Sequence, residues 1–395
     1  DGNLKIATGH FVRCLCIAQA LESLGKSVCF LVSDTDSSNL LQDLAKSIFQ
    51  GYSFSFEVKI LKTAVYDNLE LETEELKTLL NESSPLSHIE KNTLTQQALT
   101  QLNNLQCTKP VMLLDSYFVT QNYLSSLREF ARIAYMDDLR AFDYNVDLVI
   151  NYDVIPPSKE LEYKGFYNNA ASVLLGAQYT PLRRQFQNQN VSLRKKIQNI
   201  LITTGGSDPY HFTETLISYL LPENPSVHYH VVVGKLFENT ENLEKLAVRN
   251  PSVHLHYNVS NMAALMKQCD FAVSAAGTTL YELCALGIPA ISFTMADNQM
   301  IMAETFAETG AIPYAGDIRP NTENSKTKKA SAILQQITEN PEAETLSVLD
   351  CIKLHLSSAT QSFSIREIQH HCMRSLTDGN GAATIAHALC NLSKP

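Results

Sequence analysis

FAVSAAGTTLYELCALGIPAISF, residues 271–293, reads as one complete βαβ unit. An apolar run ends in the small residues Ser274, Ala275, Ala276 and Gly277. Thr278 and Thr279 then open a helix, Gly287 and Pro289 close it, and a second apolar run follows. Backbone amides left unpaired at such a helix start, aligned with the helix dipole, favour an anion such as phosphate. Ser274, Gly277, Thr278 and Thr279 are therefore read as a phosphate cradle. Glu282 lies one turn into the helix. It is either a dipole partner or, as acidic residues are in dinucleotide folds, an acceptor for both hydroxyls of a ribose.

The same alternation extends outward on both sides. Upstream, NILITTGG (199–206), HYHVVVG (228–234) and VHLHY (253–257) read as strands, and Gly205 and Gly206 permit close approach of backbone to a ligand. Downstream, MADNQ (295–299) places Asn298 and Gln299 after a strand, as neutral groups suited to sugar hydroxyls or amides. Earlier in the chain, SVCFLVSD (27–34), FEVKIL (56–61), VMLLD (111–115), RIAYMD (132–137) and DLVINY (147–152) are strand candidates ending at or near a polar residue. Strands alternating with helical periods predict α/β architecture: two Rossmann-like lobes with an interdomain cleft. The polar stretch from 176 to 196 is the expected boundary, giving lobes 1–180 and 181–395, the second with a helical tail. Residues 67–106 read as a surface excursion, and DGNG (378–381) as a turn.

Ligands in open α/β sheets bind at the carboxyl edge, so the polar residues there are the candidates. In ATGHFVRC (7–14) a helix opens at Gly9 and His10, and an imidazole there can act as a base. Arg13 shares its face at i+3. Tyr117 in DSY and Asp137 and Asp138 in MDDL end strands of the first lobe. Adjacent residues point to different sides, so at most one of the two acids is expected to face substrate, taken as Asp138. The chain opens in the loop-like DGNLK rather than in a strand, and an N-terminal truncation is expected.

A net charge of −10 without a Lys/Arg block argues against a nucleic-acid surface or a polybasic membrane patch. No apolar run reaches the roughly 18 residues of a membrane-spanning helix. The nine cysteines are scattered, with no metal-spaced pairs beyond the CxC of Cys14 and Cys16, and are read as reduced thiols of a cytoplasmic protein. No cofactor, no metal and no stable membrane association are expected, and a monomer is compatible with the sequence.

GHFVRC, DSY, MDDL, VINYD, GAQYTPLRRQF, TTGGSDP, NMAALMKQCD, SAAGTTLYELCALGIPAI and DNQ occur in one order. Together they resemble the UDP-2,4-diacetamido-2,4,6-trideoxy-β-L-altropyranose hydrolases of pseudaminic acid biosynthesis, a family similar in turn to the GT-B glycosyltransferase that makes lipid II. The resemblance spans about residues 1–320. It implies that water attacks the anomeric carbon, the C1–O bond breaks with inversion, and UDP leaves without a metal. It further implies His10 as the catalytic residue. Gly9, Arg13, Tyr117, Asp138, Arg183, Asn298 and Gln299 fall on the sugar side. Gly205, Gly206, Ser274, Gly277, Thr278, Thr279 and Glu282 fall on UDP. The family's Gly-x-Gly-His is Ala7-Thr8-Gly9-His10 here, the family's first strand is missing, and residues 67–106 and the tail are longer. The weighed alternatives are a GT-B UDP-sugar glycosyltransferase, which would use the same uridine site, and a non-catalytic UDP-sugar binding subunit.

Overall fold

The computed structural model describes residues 9–49, 55–63, 69–82, 109–319 and 347–393. It divides into two compact units, one of residues 1–153, 160–183 and 380–395, the other of 154–159 and 184–379.

In the first unit, β3 (Val111–Leu114), β4 (Arg132–Met136), β5 (Leu148–Asn151) and β6 (Val173–Leu175) form a parallel sheet in that order. A separate parallel pair joins β1 (Cys29–Val32) to β2 (Glu57–Ile60). Among the described residues neither β1 nor β3 has a second strand partner. A cavity of about 620 Å³ is lined by both, with Ile17 and Leu76 among its walls. Residues 1–8, including the loop-like opening and Ala7-Thr8, lie outside the described residues, as does most of 67–106.

The opening helix, Gly9–Ser23, has no acidic residue in its first turn and no basic residue in its last, so it lacks charges that complement the helix dipole and is held by what it buries. Phe11 and Leu15 pack with Val32, Leu41 and Phe49, while Cys16 and Ile17 pack with Ala134, Met136, Leu148 and Ile150. Gly25 ends the helix at φ +72°, and the Lys26 amide donates to the Leu21 carbonyl at 3.0 Å, a six-residue closure that favours glycine at that position. The sequence reading groups the last helix, Gly381–Leu392, with the second lobe. It lies in the first unit because its apolar face, Ala382, Ile385 and Leu389, joins the same core as Cys16 and Ile17. Gly381 lets its start lie against the Thr180 carbonyl, which an added Cβ would meet at 2.2 Å.

The second unit holds one six-stranded parallel sheet in the order β12-β11-β10-β7-β8-β9. Its strands are β7 (Asn199–Thr203), β8 (His228–Val233), β9 (Val253–Tyr257), β10 (Phe271–Ala275), β11 (Ala290–Thr294) and β12 (Tyr314–Asp317). β10 and β11 are buried along their whole length, which is why they read as unbroken apolar runs rather than alternating ones. Phe271, Ile291 and Phe293 are fully buried and each contributes about 1.5–3 kcal/mol of burial. Gly287 closes the helix Thr278–Leu286 at φ +67°, and a Cβ there would also strike the His370 imidazole at 2.5 Å.

The chain order along this sheet reverses between β7 and β10, which pair side by side with Thr203 opposite Ser274. That junction is a topological switch point, where open α/β sheets leave a crevice at the carboxyl edge. All eight described cysteines are free thiols. Among the described residues no helix is long and apolar enough to cross a membrane.

Candidate functional site

In the first unit the polar strand ends gather around the start of the opening helix. Asp115 follows β3 and is buried. Its Oδ1 lies 2.6 Å from His10 Nδ1, and its Oδ2 accepts from Arg13 Nε at 2.7 Å. Arg13 Nη2 also donates to Oδ1 and lies 3.0 Å from His10 Nδ1. An ionised carboxylate can only accept, so in the 2.6 Å contact Nδ1–H donates to Asp115, and the Arg13 Nη2 approach to Nδ1 is then a close contact of two donors rather than a hydrogen bond. That tautomer leaves Nε2 with the lone pair. His10 is only 6% exposed and lines the cavity between β1 and β3.

Arg13 Nη1 reaches on to Asp138 at 3.2 Å and to the Tyr152 hydroxyl at 2.5 Å. Tyr117 donates to the same Asp138 oxygen at 3.0 Å, and its ring meets the His10 ring edge-on with centroids 4.8 Å apart. Burial opposes the charge on Asp115, yet hydrogen bonds from Arg13 and His10 outweigh it and hold the carboxyl well below the usual range. Burial, followed by the Asp138 charge, raises the Tyr117 hydroxyl to about 12.

Asp138 thus belongs to the cluster, and Asp137 does not. The buried Asp137 carboxylate accepts from the Leu139 and Arg140 amides, each at 3.0 Å, and from the Tyr144 and Tyr167 hydroxyls. It holds a turn. Gly9 is the exposed first residue of the helix, and Arg183 is half-buried at the end of the unit's second segment. Asp115 and Tyr152 were not singled out from sequence. Asp115 carried the same strand-end signal as Asp138, but only the folded chain puts it against His10.

Asp153 adds an untypical carboxyl. Burial raises it to about 6, against hydrogen bonding from Asn151 and with the help of Asp138. A raised carboxylate binds its proton more tightly when folded, so stability is greatest at low pH and falls as pH rises from about 4 through 6. Asp153→Asn is expected to stabilise the protein by about 1–2 kcal/mol at pH 8, the full shift being discounted for partial exposure. The gain should shrink to nothing by about pH 4 in paired thermal melts.

In the second unit the switch point brings two predicted segments together. Gly205, at φ +88°, and Gly206 follow β7, and both are exposed. Gly277 is the N-cap residue of the helix Thr278–Leu286, with no side-chain cap on the helix amides, and Thr278 is exposed while Thr279 is half-buried. Glu282 is buried one turn in. Ser274 of the expected phosphate cradle is fully buried in β10, and its hydroxyl donates to the Ala275 carbonyl at 2.9 Å. Asn298 is exposed in the first turn of the helix Asp297–Glu308, and Gln299 Oε1 accepts from the Met295 amide at 2.8 Å.

Two residues missed from sequence shape this edge. Asp208 accepts from the Phe212 and Thr213 amides, both at 2.9 Å, and so caps the helix after the diglycine. Gly234, after β8, lies so close that a Cβ would meet the Gly206 and Gly205 carbonyls at 2.3 and 2.5 Å.

These two units define the class of protein: an α/β chain of two Rossmann-like lobes, the GT-B architecture. MurG from Acinetobacter baumannii superposes with a TM-score of 0.56 at 14% identity, over 97% of this chain and 96% of that one. Two relatives are similar in sequence over shorter stretches. The chain is 30% identical over 141 residues to the pseudaminic acid cytidylyltransferase and UDP-2,4-diacetamido-2,4,6-trideoxy-β-L-altropyranose hydrolase of Helicobacter pylori, covering 34% of this chain and 24% of that protein. It is 30% identical over 140 residues to the spore coat polysaccharide biosynthesis protein SpsG of Bacillus subtilis, covering 34% and 41%. The chain thus spans less than half the length of the curated relatives it matches. No protein-family model matches it.

Proposed function

We propose that this chain processes a UDP-linked diacetamido-trideoxy sugar as a hydrolase, with His10 as the base that activates water. The carrying observation is the buried Asp115–His10 pair at the carboxyl edge of a parallel sheet. Asp115 holds the imidazole in the tautomer whose Nε2 can take a proton, the same division of labour as in a hydrolase triad. Water loses its proton to Nε2 and its oxygen bonds to the anomeric carbon. The C1–O bond breaks, and its electron pair leaves with UDP. In the second unit the amides at Thr278 and Thr279 would take the diphosphate and Glu282 the ribose, which offsets the leaving group's charge. The partial homology to the Helicobacter pylori protein supports the hydrolytic reading.

Product analysis from a panel of UDP-sugars in ¹⁸O-water tests it. UDP release without an acceptor, with the label on the sugar, is the expected result. Label on phosphate, release only when an acceptor is added, or tight binding without turnover would each overturn it.

The nucleotide half carries its own prediction. Gly234→Ala pushes a methyl group into two backbone carbonyls that cannot retreat without moving the diglycine turn. UDP affinity in calorimetry is expected to fall about tenfold or more, a loss of at least ~1.4 kcal/mol.

A further inference from the structure

HYH (228–230) on β8 and HLH (254–256) on β9 bring four histidines to one face of the second unit's sheet. His230 stands opposite His254 in the register, and β9 is the sheet's edge strand. Strand alternation puts Tyr229 on the other, buried face. The four rings form one stack in the order His228, His254, His230, His256, with centroids 5.1–5.3 Å apart and planes within 21–26° of one another.

Their nitrogens meet in two cross-strand pairs. His228 Nδ1 lies 3.0 Å from His254 Nε2, and His230 Nδ1 lies 3.0 Å from His256 Nε2. On its far side His230 Nε2 lies 3.1 Å from the Asn199 Oδ1 of β7. An amide oxygen only accepts, so Nε2 carries the His230 proton and Nδ1 presents the lone pair. This is how metal-ligating histidines are oriented: the second ring nitrogen is tied down by an outer partner.

We propose that His230 and His256, backed by Asn199, form a binding site for a late first-row divalent metal ion such as Cu²⁺ or Ni²⁺. Two imidazole nitrogens held cis at about 2.0–2.1 Å on a tetragonal ion are about 2.9 Å apart. The pair already stands at 3.0 Å, so the ion replaces the shared proton with little strand movement. His256 keeps its one proton by transferring it to Nδ1 through solvent, and neither neutral ring loses or gains one. Among the described residues no three His, Cys, Asp or Glu side chains converge on a point, so water completes the coordination. The carboxylate whose charge acts on His230, Asp270, is engaged by Arg194 at 2.8 Å and by the Gln198 and Asn199 amides. A bound ion would clasp the edge strand to its neighbour, and the site is independent of the nucleotide reading.

Calorimetric titration of the whole protein with CuCl₂ and NiCl₂ at pH 7.5, with MgCl₂ as the oxygen-seeking control, tests the site. Saturable binding of Cu²⁺ and Ni²⁺ but not Mg²⁺ is expected. Asn199→Ala should weaken it about 10- to 100-fold, the usual cost of losing an outer-sphere partner. His256→Gln, on the edge strand, should weaken it at least as much, and the His230→Gln/His256→Gln pair should abolish it. Circular dichroism reports whether each variant folds. The proposal is wrong if neither ion binds below about 1 mM, the weak end of useful affinity. Parental affinity in folded His256→Gln would equally refute it.

Discussion

His10→Asn lowers UDP release from the sugar nucleotide by about 10²- to 10⁴-fold, the range a positioned general base contributes. UDP affinity should stay within about twofold, because the nucleotide contacts are assigned to the second unit. Asparagine can still donate toward Asp115, so the buried pair is not left bare, and the melting temperature serves as the control. The split between rate and affinity separates a catalytic imidazole from a structural one. A variant that hydrolyses at the parental rate would remove His10 from the chemistry. Its 6% exposure makes the test pointed, since a base must reach water.

Asp115→Ala carries the largest expected cost in stability. It leaves the buried Arg13 guanidinium without its bidentate partner, and breaking such a pair from one side typically costs about 3–5 kcal/mol. Asp138 and Tyr152 remain but offer single contacts. The same carboxylate sets an acid limit. Its pKa when folded lies below its unfolded value, so its contribution is complete above about pH 4 and is lost as pH falls further. Acid denaturation of the parent should therefore begin below about pH 4, and Asp115→Asn should remove that component while lowering stability at pH 7. Equal losses at pH 3 and pH 7 would contradict the assignment.

These two residues also mark where sequence reading stopped. His10 and Arg13 share a helix face by spacing alone, a relation any helix imposes. Asp115 is 105 residues from His10, and no local pattern links them. Ser274 shows the converse. Its neighbourhood of small residues reads as part of a phosphate cradle, but in the folded sheet it is fully buried and its hydroxyl donates to the Ala275 carbonyl.

The amino-acid sequence by itself determined the alternation of strands and helices, the helix stops at Gly25 and Gly287, and the apolar runs that became β10 and β11. These are local properties, set by hydrophobic period, glycine geometry and the few ways a short segment can satisfy its own backbone. Only the tertiary structure decided that β7 and β10 lie side by side and that Gly234 presses on the diglycine turn. The same holds for the last helix returning to the first unit and for Asp115 closing on His10 and Arg13. Each is a contact between residues far apart in the chain, selected by which apolar faces and buried charges can be satisfied together, and that selection is made only when the whole core assembles.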